Sequence, residues 1–112
     1  MEMRIHARRL APSFKKSLYN EVSKVKKWEF TSYSLDKIYK RGISVKNLGE
    51  AVVKGKLIEY HTKGDSRRVL LRCEEGTCAV VDLDKQAIIT AYKNTADFNH
   101  PHLDQTKYLF GA

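Results

Sequence analysis

Five side chains in the second half of the sequence are of types that could act on a phosphodiester. His61 could serve as acid or base because the reference pKa of histidine lies near neutral pH. Arg68 and Arg72 are four positions apart, an even number, so on a strand they would point the same way and could bind one phosphate group. Thr90 and Tyr92 could hydrogen-bond phosphate oxygens. Cleavage of RNA without metal needs such a set: a base, an acid, and cations for the pentacoordinate phosphate.

Four short strands would position these groups. Alternating apolar and polar residues predict strands over 57–62, 67–74, 77–83 and 86–92, with turn residues between them. Connections of two to four residues make neighbouring strands antiparallel. We therefore predict a four-stranded antiparallel β-meander. One face would be apolar and pack on helices, and the other would carry the arginines, the histidine and the threonine.

Strict alternation also assigns residues to faces within the strands. In the first strand it predicts that Leu57, Glu59 and His61 lie on one face. In the last strand it predicts the same for Ile88, Thr90 and Tyr92. Arg67 and Lys93 would lie at the rim of the site. A sheet with an ordinary solvated polar face is the alternative interpretation of the same pattern.

Positive charge is concentrated in the first half of the chain. The net charge is +8, and residues 1–56 hold 14 Lys and Arg against 5 Asp and Glu, whereas residues 57–112 hold 7 against 8. One-sided positive charge attracts phosphate polymers and speeds their encounter. We expect RNA, another nucleic acid or an acidic protein as partner. A soluble protein with solvated lysine-rich helices is the alternative.

The first predicted helix carries much of this charge. It would begin at the capping residue Ser13 and continue to about residue 27, with one apolar stripe facing the core. Its other faces carry the lysines that we predict to bind the RNA backbone: Lys16, Lys24 and Lys27. A lysine face that is merely solvated remains open.

A helix hairpin is predicted over residues 30–55. Ser32 or Ser34 could cap a short helix to residue 41, which Gly42 would end in the left-handed conformation. Ser44 would cap the next helix, and Gly55 would end it in the same way.

The two cysteines, Cys73 and Cys78, are too few for a disulfide framework and indicate a reducing compartment. Buried free thiols are the favoured interpretation. A zinc site with His100 and His102, or a cross-strand disulfide, are the alternatives. We predict no metal and no cofactor. No phosphate-binding loop, dinucleotide fingerprint or nucleophile elbow is present, which argues against nucleotide hydrolysis and dehydrogenase chemistry.

The length predicts a single domain over 1–112, of α+β class. It would comprise a basic helix at 1–29, the hairpin at 30–55, the meander at 56–93 and a tail at 94–112 that folds back through its apolar residues. The longest apolar runs are four or five residues, and no secretory segment follows Met1. We therefore expect a cytoplasmic protein with no membrane contact.

The region from Phe30 to Tyr92 resembles a family of small bacterial and phage domains of unknown function. The resemblance lies in these segments: Phe30-Thr31-Ser32, Lys40-Arg41-Gly42-Ile43-Ser44, Glu50-Ala51, Gly55-Lys56-Leu57-Ile58-Glu59-Tyr60 and Ala87-Ile88-Ile89-Thr90-Ala91-Tyr92. That family is similar to the barnase/EndoU/colicin/RelE-like (BECR) superfamily of metal-independent ribonuclease toxins. The resemblance implies helices packed on a twisted four-stranded sheet, with RNA as substrate and an antitoxin or immunity protein as partner.

Carried over position by position, the resemblance implies site roles for Arg41, Arg68, Arg72, Thr90 and Tyr92. The family's opening element has histidine where this chain has Tyr33. Either His61 or Tyr33 would replace that histidine, or this copy would be inactive.

Our hypothesis from the sequence is an endoribonuclease toxin that cleaves by attack of the 2′-hydroxyl, with His61 as acid or base. The alternatives are a non-catalytic nucleic-acid-binding protein of a phage or mobile element, and a protein-interaction or inhibitor module. Transfer RNA, messenger RNA and ribosomal RNA are equally consistent as substrate.

Overall fold

The computed structural model describes residues 2–94. Three α-helices pack with one six-stranded mixed sheet in an α+β arrangement. The elements in chain order are β1 Glu2–His6, a short 3-10 helix Ala7–Arg9, α1 Pro12–Lys24, β2 Glu29–Phe30, α2 Ser32–Lys40, α3 Val45–Lys54, β3 Lys56–Lys63, β4 Ser66–Arg72, β5 Thr77–Asp82 and β6 Ala87–Lys93. The predicted tail 95–112, including His100 and His102, lies outside the described residues.

The strand order in the sheet is β1-β3-β4-β5-β6-β2. The four predicted strands are consecutive antiparallel neighbours in its centre. The prediction of a four-stranded antiparallel sheet is nevertheless wrong, because β1 adds to one edge antiparallel to β3, and β2 adds to the other edge parallel to β6. Each added strand covers hydrogen-bonding groups that would otherwise form an exposed edge.

None of the helices within residues 2–94 is long and apolar enough to cross a lipid bilayer. α1 begins at Pro12 rather than at Ser13, because proline suits the first helical position, where its missing N–H is not needed. Ala11 precedes it and offers no side-chain cap. α1 ends at Lys24, three residues earlier than predicted, where Val25 becomes extended.

The hairpin caps lie close to their predicted positions. Thr31, rather than Ser32 or Ser34, caps α2, and it exchanges hydrogen bonds with Ser34 in a capping box. Ser44 caps α3 by accepting the Asn47 N–H, as predicted. Gly42 is left-handed with φ of 62°, which ends α2 as expected.

Gly55 ends α3 in another way from the one predicted. It has φ of −66° and ψ of 151°, an extended conformation that any residue can adopt. Glycine is required there for space, because a Cβ atom would lie 2.0 Å from the Ala51 carbonyl oxygen. The chain can therefore pass directly from α3 into β3.

The main hydrophobic core lies between α1, α3 and one face of the sheet, here called the helix face. Leu18 and Val22 of α1 and Leu48 of α3 pack there on the buried strand residues Leu71 and Val81. A smaller cluster lies on the opposite face and consists of strand residues alone: Ile58, Leu70, Cys78 and Tyr92, with Val80 against it.

Two β-bulges overturn the predicted face assignments at the first and last strands. β3 is irregular at Ile58, so Leu57 joins the helix face while Glu59 and His61 lie opposite. β6 is irregular at Ile89, which places Ile88 in the main core. The extra residue of a bulge shifts the alternation by one position, and a strict period of two cannot anticipate this shift.

Candidate active site

A cavity of about 190 Å³ opens on the opposite face of the sheet, between β1, β3, β4 and β6 and the helix α2. We call it the arginine cavity. Its lining comprises Arg4, Tyr33, Arg41, His61, Arg68, Val80, Ile89, Thr90 and Tyr92. Among residues 2–94, no carboxylate lines it. Three guanidinium groups, an imidazole and three hydroxyls therefore surround one small space, a composition that favours an anionic ligand.

One row of residues across neighbouring strands forms the base of the site. Arg4 of β1 pairs in register with His61, His61 with Arg68, and Arg68 with Asp82. Side chains paired in this way lie on one face, at the strand spacing of about 5 Å. The register of the sheet thus determines the order of basic and acidic groups along the row.

His61 is the imidazole of this row, and only 8 % of the residue is exposed. Its Nε2 lies 3.2 Å from Oε2 of Glu2. The two atoms are at ion-pair distance, but the N–H is poorly aligned, so Nε2 lacks a full hydrogen bond within residues 2–94. Interaction with His61 holds the pKa of the Glu2 carboxyl below its ordinary value, helped by the charges of Arg4 and Lys63.

Arg4 and Arg68 flank His61 on both sides. Nη1 of Arg4 donates to Oε1 of Glu59 at 3.0 Å, and this carboxylate is almost fully buried. Nε of Arg68 donates to Ser66 Oγ at 3.1 Å, and Ser66 in turn donates to the buried Asp82 at 2.7 Å. These hydrogen bonds engage Nη1 of Arg4 and Nε of Arg68, and each guanidinium has further N–H groups.

Arg41 approaches the cavity from the end of α2. Its Nη1 donates to the Ala91 carbonyl at 2.8 Å and to Thr90 Oγ1 at 3.3 Å. Its guanidinium carbon also lies 6.0 Å from the centroid of the Tyr92 ring. The sequence predicted Thr90 and Tyr92 as direct phosphate ligands; both line the cavity, and both also contact Arg41.

Tyr33 is the exposed wall of the cavity. It lies in the first turn of α2 and is 56 % exposed, with the Lys37 ammonium 5.3 Å from its ring centroid. Its hydroxyl is therefore accessible to a substrate.

Three predicted cations lie away from the cavity. Arg72, expected to share a phosphate with Arg68, donates instead to the Asn94 carbonyl at 3.0 Å.

Arg67 lies at the helix face and forms ion pairs with Glu21 at 2.9 Å and Asp84 at 2.8 Å. These two carboxylates hold the pKa of Arg67 above its ordinary value and join α1 to β4. Lys93 lies at the end of β6. Burial acts to raise the pKa of the Glu75 carboxyl, but hydrogen bonds from Thr77 and Cys73 and the charge of Lys93 together hold it below its ordinary value.

The three predicted lysines also do not contribute to this cavity. Lys24 and Lys27 are exposed at and beyond the end of α1. Lys16 lines a separate cleft at the start of α1.

Sequence reasoning missed Arg4 and Glu2, since it assigned no structure to the first residues. The alternation in Glu2-Met3-Arg4-Ile5-His6 was a usable signal for a strand. It could not have shown that this strand pairs with β3 and so brings Arg4 beside His61, because that pairing is non-local.

Cys73 and Cys78 are both buried free thiols, as favoured from the sequence. Burial raises the pKa of Cys78 to about 12 and that of Cys73 above its ordinary value, the latter also through its hydrogen bond to Glu75. Both are therefore protonated and unreactive near neutral pH. Within residues 2–94, no group of three or more His, Cys, Asp or Glu side chains is placed to hold a metal ion.

Comparison of the chain with protein-family models, with curated proteins and with solved structures finds no match.

Proposed function

We propose that the chain is a metal-independent endoribonuclease that cleaves RNA at the arginine cavity. The observation that carries the proposal is the lining itself: Arg4, Arg41 and Arg68 converge beside His61 in a space with no lining carboxylate among residues 2–94. A phosphodiester is an anion that can engage several guanidinium groups at once. Such groups stabilise the additional negative charge that develops on the phosphorane.

The reaction would be an in-line attack by the ribose 2′-hydroxyl on the adjacent phosphorus. The 2′-oxygen–phosphorus bond forms, the phosphorus–5′-oxygen bond breaks, and a 2′,3′-cyclic phosphate results. His61 accepts the proton of the 2′-hydroxyl, and the Glu2 carboxylate 3.2 Å away stabilises the imidazolium that forms. The accessible Tyr33 hydroxyl donates a proton to the departing 5′-oxygen.

Thr90 and Tyr92 act as positioning residues in this proposal. They hold Arg41 against β6, so its guanidinium is already oriented when RNA binds. A preorganised cation stabilises the transition state without reorganising during the reaction.

The assignment to the RelE/barnase-like type is also part of the proposal. It is supported by α1 and α3 on one face of an antiparallel central sheet, with the cavity on the other face, and by the hairpin and strand motifs. The same resemblance supports a toxin role and an antitoxin or immunity protein as partner.

One observation favours a second candidate, a nucleic-acid-binding protein without catalysis. His61 is 8 % exposed and its Nε2 faces Glu2, while Tyr33 stands where the resembling family has histidine. The cavity would then bind a backbone phosphate without transferring protons.

Incubation of the purified chain with RNA oligonucleotides in EDTA separates these candidates. Cleavage to 2′,3′-cyclic phosphate ends should persist in EDTA, and His61→Gln should slow it by about 100-fold or more, the usual size of a general acid–base contribution. Arg41→Gln should also slow it, while Lys85→Gln, in the exposed β5–β6 turn, should have no effect.

Retained folding of each variant is checked by circular dichroism. If wild-type protein binds RNA and leaves it intact, the non-catalytic candidate is correct. If His61→Gln cleaves at the wild-type rate, His61 has no role in proton transfer and the mechanism is wrong.

A further inference from the structure

A second and larger cleft lies where β1 passes through the 3-10 helix into α1. Its volume is about 540 Å³, within the range of roughly 300–1,000 Å³ typical of small-molecule sites. We call it the α1 cleft. Its basic side chains are His6, Arg8, Lys15, Lys16 and Lys56. No carboxylate among residues 2–94 lines it.

Two of the three lysines of the α1 cleft, Lys15 and Lys16, belong to the first turn and a half of α1. Within the described part of the chain, neither Lys15 nor Lys16 forms an ion pair, and Lys16 is exposed. Arg8 also contacts no carboxylate there; its Nε and its backbone N–H approach Nδ1 of His6. These cations are therefore accessible to an anion from solution.

An apolar floor lies beneath this basic rim. It is formed by Ala7 and Leu57, both buried, and by the Tyr19 side chain. The Tyr19 hydroxyl accepts the Leu57 backbone N–H at 2.7 Å, which fixes the ring while 40 % of the residue stays exposed. A fixed aromatic ring bordered by cations suits a nucleotide, with its base on the ring and its phosphate on the lysines.

The α1 cleft and the arginine cavity both adjoin β1, although the cavity lies on the opposite face of the sheet and the cleft extends onto the helix face at Ala7 and Leu57. Arg4 lines the cavity, and His6, two residues further along β1 at a spacing of roughly 7 Å, lines the cleft. Glu59 lies opposite His6 between them, but it is 6 % exposed and bound by Arg4. Its charge therefore opposes an anion there only weakly.

We propose that the α1 cleft is a second subsite for single-stranded RNA, which binds the nucleotides next to the one held in the arginine cavity. One strand of RNA would follow β1 from Arg4 towards the start of α1. This inference rests on the proposed function in taking RNA as the ligand of the arginine cavity. It adds that affinity depends on RNA length, because a dinucleotide has one phosphodiester, which the arginine cavity would take up, and none left for the α1 cleft.

Binding is measured with non-cleavable 2′-O-methyl RNA, a labelled octamer and a labelled dinucleotide, by fluorescence anisotropy at several salt concentrations. The test variant is Lys15→Glu with Lys16→Glu. The control is Lys46→Glu with Lys85→Glu, which makes the same change in net charge at exposed positions away from both sites. Circular dichroism confirms that both variants are folded.

The test variant should bind the octamer about tenfold or more weakly than the control does, and its salt slope should fall by about 1.4, since each phosphate contact contributes about 0.7 on single strands. Dinucleotide binding should be the same in both variants. Equal losses in test and control variants, or equal losses for both RNA lengths, would overturn the subsite. Pyrophosphate binding to the same variants is measured by calorimetry; if the test variant loses pyrophosphate binding but keeps octamer binding, the subsite is overturned in favour of a small-anion site.

Cleavage of an unmodified dinucleotide by the same proteins distinguishes this inference from the proposed function. Absence of cleavage in wild-type protein, with the length-dependent loss of binding intact, would refute the ribonuclease and retain the subsite. Normal cleavage with no length-dependent loss would refute the subsite alone.

Discussion

At the scale of single residues, the site depends on pairs that neighbouring strands bring together. His61 and Glu2 are 59 positions apart in sequence and 3.2 Å apart in space. Thr90 and Tyr92 likewise contact Arg41. Of the side chains named from the sequence, His61 and Arg68 line the arginine cavity and Arg72 does not. Parity within one strand could not show this, because it contains no information about the neighbouring strands.

The Glu2–His61 pair gives a prediction that does not depend on catalysis. The pKa of Glu2 is lowered by His61, so His61→Gln should return it towards the ordinary glutamate value near 4.3. A lowered carboxyl pKa means that the pair stabilises the fold above the unfolded-state pKa, and that this stabilisation is lost as pH falls through the folded-state value. Carboxyl NMR titration of wild-type and variant protein measures the shift, and identical Glu2 titrations would show that the pair does not form in solution.

At the scale of elements, the strand after α3 is possible only because Gly55 lets the chain pass close to Ala51. The sequence suggested a helix end at this glycine, and the observed reason is space rather than a left-handed turn. The bulges at Ile58 and Ile89 are the other decisive features of the elements. They allow Leu57 and Ile88 to enter the core while His61 and Thr90 line the cavity.

Two glycine substitutions at α3 should have opposite effects on stability. Gly55→Ala places a Cβ atom against the Ala51 carbonyl and should lower the free energy of unfolding by about 1–3 kcal/mol. Gly49→Ala, within α3, meets no atom within 4 Å and should raise it by about 0.5–1 kcal/mol through helix propensity. Urea denaturation of both variants measures the difference. Equal effects would mean that the close approach at Gly55 is absent.

At the scale of the whole molecule, helices and sheet are held together by the main core and by one charged bridge. Arg67 binds Glu21 of α1 on one side and Asp84, in the β5–β6 turn, on the other. The sequence interpretation assigned Arg67 to RNA, whereas its guanidinium joins α1 to the sheet. Basic side chains that do not join α1 to the sheet are instead concentrated along β1, α1 and the arginine cavity.

Arg67→Gln should lower the free energy of unfolding by about 1 kcal/mol at neutral pH, the order expected for a partly exposed, charged hydrogen-bond network. Arg67 lowers the pKa of Asp84, so the bridge contributes fully above the ordinary aspartate pKa near 4 and loses strength as pH falls through the lowered value. The stability difference between wild-type and variant should therefore shrink below about pH 4. Thermal unfolding across this range measures it, with Lys46→Gln as control; a constant difference would exclude the ion pair as its cause.

The sequence alone determined the α+β class, the three helices, the four central strands, and the hairpin signals at Gly42 and Ser44. These features depend on local periodicity and on capping chemistry, which act within a few residues. Only the tertiary structure decided the two edge strands, the bulges and the partners of each arginine. Arg67 and Arg68 are adjacent and chemically identical, yet one bridges α1 to the sheet and the other lines the arginine cavity. The two arginines differ because their side chains lie on opposite faces of β4 and meet different groups there. Which groups lie on each face is decided by non-local packing.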